Sequence, residues 1–195
     1  MEIKKAIRVS IFIDGRNFYH EAKNLKKGGL KIRLQDIVQK LVGNRELITA
    51  FYYNTLLDRK YDPKRYESHN KFINIVKGFP KFKVVLCDWR KIIGEEGTVR
   101  YDTKGDDVQL AHDLLMGAVK DEYDTAIIVS GDADFIPILK TVREEYKKKV
   151  GNAFFRRTSS YKLRKACDFS INLNKLIREL NEKKKIRDAS ALSKG

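Results

Sequence analysis

Carboxylates are clustered along a chain whose formal net charge is +15. Asp14 stands in FIDGRN, Asp106 and Asp107 in KGDDVQL, and Asp132 and Asp134 in SGDADF. Each cluster falls near a strand end or a helix start in the residue pattern, which is where α/β folds build their sites. Acids gathered at one point repel unless something positive sits among them. A set offering only oxygen, with no His or Cys, selects a hard cation such as Mg2+ or Mn2+. A chain this basic also attracts polyanions, so the same residues suggest a cation site set in a nucleic-acid-binding surface.

Every one of these side chains also has a purely local reading. Asp is a favoured N-cap, so Asp14, Asp106 and Asp132 are candidates both for capping the helices that follow and for holding metal. Pro137 fits only the first turn of a helix, which makes Asp134 the better cap and leaves Asp132 for metal. Asn17 either caps the first helix or orients Asp14 or a substrate phosphate, and Ser130 either bonds to nearby backbone or holds a water. Asp113 lies seven residues after Asp106, hence on nearly the same helical face, as a second-tier candidate beside a solvated role. Lys104 stands next to the acidic pair, either balancing Asp106 or countering charge that develops in a reaction.

The elements that must position these groups alternate. Strands are expected over 7–13, 47–53, 82–86, 125–129, 150–155 and 169–173, and helices over 18–25, 34–42, 63–76, 136–146, 160–166 and 174–182, with a further helix after the KGDD segment. Residues 94–103 read as a loop or short hairpin. Such alternation makes an α/β fold with a mostly parallel sheet covered on both faces. In such a sheet Asp14 and Asp132 converge only if the first and fourth major strands are neighbours.

The 195 residues suit one domain over 1–182, and the basic stretch 183–195, without an apolar stripe, is expected to be a disordered tail. Two cysteines, with no CxxC pair, indicate neither a disulfide framework nor a zinc cage, and no stretch approaches the ~20 apolar residues of a membrane span. A reduced cytoplasm fits, with no membrane partner. A haloacid-type phosphatase would need a second Asp where Arg16 stands, and a P-loop nucleotidase would need GxxxxGK[ST], which is absent.

FIDGRN after a first strand, KGDDVQLAHDLL, and IIVSGDADFIPIL, in that order, resemble the NYN domain, a PIN-like nuclease family that includes the LabA-like proteins. The resemblance spans about residues 7–175. It implies a PIN-like three-layer α/β/α sandwich whose acidic pocket binds Mg2+ or Mn2+ and hydrolyses RNA phosphodiesters. By that resemblance Asp14, Asn17, Asp107, Asp132 and Asp134 are the catalytic set, with Asp14, Asp107 and Asp132 as metal ligands. Asp106 takes a position often apolar in LabA-like members and acidic in some related ribonucleases.

RNA is expected to dock along Arg156, Arg157, Lys162, Arg164 and Lys165, where no acid intervenes and Tyr161 offers a stacking face. Arg16, closer to the acids, is the best candidate for gripping the scissile phosphate. The alternative is an RNA-binding, regulatory PIN-like module with little turnover, and a homodimer is left open.

Overall fold

The central strand explains why the rest of the chain folds around it. In this computed structural model, which describes residues 6–55, 59–60, 63–93 and 99–192, β1 (Arg8–Asp14) is buried along nearly its whole length. A run of Val, Ile and Phe in such a strand needs neighbours on both sides and cover on both faces. β2 (Glu46–Thr55) and β5 (Thr125–Val129) flank it in parallel. β3 (Phe82–Ile93) and β4 (Val99–Lys104) extend the sheet on one side, β6 (Lys149–Phe154) and β7 (Phe169–Asn172) on the other. The order is β4-β3-β2-β1-β5-β6-β7, and only β4 is antiparallel, as the second arm of a hairpin with β3. β4 lies at the sheet edge and takes up 99–103 of the stretch read as a loop or short hairpin, whose residues 94–98 lie outside the described residues.

Helices cover both faces, giving the three-layer α/β/α sandwich. α1 (Gly15–Lys27), α2 (Leu34–Val42), α3 (Pro63–Lys77) and α7 (Leu173–Leu192) pack one face, where Phe18, Ile37, Leu41, Ile73 and Ile177 meet Val9, Ile11 and Ile127. α4 (Asp106–Val119), α5 (Ile136–Glu144) and α6 (Tyr161–Ala166) cover the other, where Leu110, Leu114, Leu139 and Leu163 meet Phe12, Ile128 and Tyr53. α2 buries Leu34, Ile37, Val38, Leu41 and Val42, one stripe at helical spacing, and stops at Gly43 with φ 61°.

One expectation is corrected. The stretch expected to be a disordered tail continues α7 as far as Leu192, and 193–195 lie outside the described residues. Lys, Arg and Ala are strong helix formers, so a helix anchored at its start can run on without an apolar stripe. The anchor is tertiary: Leu173 and Ile177 are buried, and the Asn181 amide donates to Lys31 O and accepts from Lys31 N, both at 2.9 Å.

Chain order sets the site. From β1 the chain runs outward through β2, β3 and β4, then returns across the sheet to β5 and runs the other way through β6 and β7. The order reverses between β1 and β5, and the crevice beyond the carboxyl ends of such a pair is where open α/β sheets bind ligands. Ile13 is in register with Val129, so Asp14 and the Ser130–Gly131–Asp132 turn leave the sheet side by side.

Candidate active site

Asp14 fills two roles at once. Its Oδ1 accepts from Asn17 N at 2.9 Å, capping α1, and its Oδ2 accepts from Ser130 Oγ at 2.9 Å. The side chain is buried, so desolvation raises its pKa, opposed by those two hydrogen bonds and by Arg16. Because Asp14 is the cap, α1 begins at Gly15, not at Phe18, and Asn17 is not the cap. Its amide oxygen instead accepts from Thr158 Oγ1 at 3.4 Å, from the loop between β6 and α6.

The β5 side is wired in series. Ser130 Oγ accepts from Asp132 N at 3.1 Å, and Asp132 Oδ1 accepts from Asp134 N at 2.9 Å. This reverses the expected division of labour: Asp132 is the cap, and Asp134 is an exposed residue in the 3-10 turn Ala133–Phe135. The turn intervenes between β5 and α5, so Pro137 sits in the first turn of α5 while the capping side chain lies further upstream. Asn152 Nδ2 donates to Ser130 O at 2.9 Å and to Ile128 O at 3.3 Å, fixing the end of β5.

Two glycines bring neighbouring backbones close. A Cβ on Gly131 would lie 1.8 Å from Thr158 O, and one on Gly15 would lie 2.4 Å from Tyr53 O. Neither Gly131 nor Thr158 stands out in the sequence, and Gly15 reads there only as a turn before the first helix. The glycines sit inside the motifs, but close approach depends on a strand or a loop distant in sequence, and Thr158 carries no signal of its own.

Asp106 and Asp107 open α4, where Gly105, with φ 87°, holds the N-cap position without a side-chain bond. Asp106 is buried and belongs to the cluster. Asp107 is half-buried, and its pKa is pushed up to about 6, first by desolvation and then by the charges of Asp106, Asp14 and Asp132, against the pull of Arg16. Arg16 Nη2 stands 4.0 Å from Asp107 Oδ2, a loose pair. Asp14, Asp106, Asp107 and Asp132 thus share one field of negative charge. Among the described residues no three His, Cys, Asp or Glu side chains close into a ready-made metal cage.

Asp113 is neither solvated nor spare. It accepts from Tyr53 OH at 3.0 Å and Gln109 Nε2 at 2.8 Å, with His112 Nδ1 at 3.1 Å. It serves the packing of α4 on β2. Lys104 ends β4, and its side chain lies outside the described residues.

Of the basic arc, Arg156, Arg157, Lys162 and Lys165 are exposed. Arg164 is committed internally: its guanidinium lies 4.6 Å from the Phe154 ring centre and 5.7 Å from that of Tyr161, and it donates to Ser159 Oγ. Ser160 Oγ caps α6 by accepting from Leu163 N at 3.2 Å.

No curated protein matches this chain. A crystal structure of a protein of unknown function from Vibrio parahaemolyticus has the same fold, with a TM-score of 0.64 at 23% identity over 88% of this chain and 96% of that one. The family model of the NYN domain matches residues 8–184, nearly the whole length. The chain belongs to the NYN domain family, whose members are generally nucleases.

Proposed function

We propose that this protein is a metal-dependent ribonuclease that hydrolyses RNA phosphodiester bonds in the crevice between β1 and β5. The observation that carries the reading is the concentration of Asp14, Asp106, Asp107 and Asp132 at a topological switch point, where desolvation first and then the charges of the other acids raise Asp107 to about 6. Such a cluster is costly without a cation, and its donors are all carboxylate oxygens, so Mg2+ or Mn2+ fits the chemistry. Asp14, Asp107 and Asp132 would hold the ion, with Asp106 adding negative charge behind them. A bound divalent cation would supply Lewis acidity toward water and charge neutralisation at phosphate.

The chain's own residues supply order. Asn17 N and Ser130 Oγ fix both oxygens of Asp14, while Asp134 N orients Asp132. Arg16, half-exposed beside Asp107, would grip the scissile phosphate. Arg156, Arg157, Lys162 and Lys165 provide positive charge beyond the crevice. Neither cysteine serves as a nucleophile: burial pushes the Cys167 thiol up to about 12, and Cys87 is raised too. Both are free, in keeping with a reducing cytoplasm, and among the described residues no helix is long and apolar enough to cross a membrane.

One observation favours a second reading, an RNA-binding module with little turnover: the acids do not close into a cage. The test is an assay of the purified protein on labelled single-stranded and structured RNAs with Mn2+, Mg2+ or EDTA. Cleavage that depends on metal and is lost in EDTA is expected. RNA retention with no cleavage under any metal would replace the ribonuclease with the binding module.

A further inference from the structure

Two helices differ from the others in charge. Among the described residues, α2, α3, α4, α5 and α7 each carry at least one acid that reaches solvent, such as Asp36, Glu67, Asp107, Glu144 and Glu179. α1 has a single acid, Glu21, which is buried, and α6 has none. Both helices start at the carboxylate edge: α1 follows Asp14 directly, and α6 follows the loop whose Thr158 bonds Asn17.

The outward face of α1 is a continuous stripe. At about 100° per residue, Arg16, Tyr19, His20, Lys23, Lys26 and Lys27 fall within an arc of roughly 120°, opposite Phe18 and Leu25. All six are exposed. The stripe runs about 16 Å away from the crevice at ~1.5 Å per residue. Tyr19 is 40% exposed and its ring packs edge-on against His20 at 5.9 Å, within a run of cations. Across the crevice α6 repeats the combination: Tyr161 is 63% exposed, with Arg164 and Lys165 each 5.7 Å from its ring centre. Cations alternating with an exposed aromatic face suit a strand whose bases are free to stack.

We propose that the outward faces of α6 and α1 form one binding track for an unpaired RNA strand across the carboxylate crevice, with a base stacked on Tyr161 on one side and on Tyr19 on the other. Arg16, Lys23 and Lys27 follow its phosphates along α1. The assignment of the scissile bond to the crevice rests on the ribonuclease reading; the binding track does not. A duplex is disfavoured at the two tyrosines, since its base faces are already stacked on one another and are closed to a tyrosine ring.

Binding without turnover separates the two ideas. Anisotropy of a labelled, unstructured RNA and of the same RNA annealed to its complement is measured in EDTA with the full chain, folding of each variant being checked by circular dichroism. The single strand is expected to bind more tightly than the duplex. Tyr19→Ala is expected to weaken it about fivefold or more, and Tyr19→Phe, which keeps the ring, to leave it unchanged. Lys23→Ala with Lys27→Ala should flatten the salt dependence of log affinity by about 1.4, at ~0.7 per lost contact. Equal affinity for duplex and single strand, or an unchanged Tyr19→Ala, would overturn the track. If the wild type still cleaves RNA with Mn2+ in that case, the ribonuclease reading survives alone. Tight single-strand binding lost in Tyr19→Ala, with no cleavage under any metal, would uphold the track and remove the enzyme.

Discussion

Asp132 and Ser130 separate ligation from positioning. Asp132→Asn keeps the hydrogen bond that Asp132 Oδ1 accepts from Asp134 N and removes one negative charge from the cluster. Cleavage should fall to background while RNA affinity in EDTA stays the same or tightens, because repulsion toward phosphate is relieved. Full activity in both Asp14→Asn and Asp132→Asn would sink the enzyme. Ser130→Ala leaves every carboxylate in place but frees Asp14 Oδ2 and removes the acceptor of Asp132 N. A loss of about 10- to 100-fold in metal affinity or turnover is expected, read as a higher Mn2+ requirement with unchanged RNA binding. At this scale the motifs are legible because they carry their spacing with them, and Asp14, Asp106, Asp107 and Asp132 all stand in such motifs. The caps were read less well. Pro137 drew the N-cap to Asp134, yet a single 3-10 turn has no hydrophobic period to announce it and moves the capping side chain back to Asp132. The tie from Tyr53 to Asp113 was hidden as well, since nothing local marks which strand residue a helix will face.

The strands themselves have to be held in register, and the end of the sheet opposite the site does part of this. Arg8 opens β1 and donates from Nη2 to Asp124 Oδ1 at 2.7 Å and from its backbone N to Oδ2 at 2.8 Å, joining the start of β1 to the residue before β5. Arg8 also pairs with Asp121, which Lys148 grips from just before β6. The Arg8 hydrogen bonds pull the Asp124 carboxyl down to about 2. A folded-state pKa below the ordinary ~3.8–3.9 means that the unfolded chain binds more protons in that window, so the stabilisation is present above about pH 4 and is lost as pH falls toward about 2. Asp124→Asn should therefore be less stable than wild type near neutral pH, and the gap in urea midpoint should narrow as pH drops through that range. A gap of constant size would show that Asp124 acts through shape alone. Strand and helix order was legible because β-branched runs and helical spacing recur down the chain. The length of α7 was not, since a solvated Lys-rich helix and a disordered Lys-rich tail have the same composition, and tertiary contacts such as the Asn181 clamp on Lys31 separate them.

Across the whole molecule, the +15 charge is set against one acidic crevice, so binding and chemistry are governed by different residues. The exposed arc on the β6–α6 side tests that division. Arg156 and Arg157 are exposed on the loop, whereas Arg164 is spent on Phe154 and Ser159, so the first two are the charges to remove. Arg156→Ala with Arg157→Ala should weaken RNA binding and flatten the dependence of log affinity on log salt by about 0.7 per lost contact. Turnover at saturating RNA should barely change, because a cation remote from the reacting phosphorus holds ground and transition states alike and so raises KM without lowering kcat. Arg16→Ala should do the opposite: Arg16 stands 4.0 Å from Asp107 at the crevice, and its loss should lower kcat. A double variant with an unchanged salt slope would reduce the arc to a solvated surface and leave the outward face of α1 as the path of the strand. A double variant whose kcat falls with its affinity would instead bring the arc up to the reacting phosphate, and the two arginines would have to be counted with Arg16.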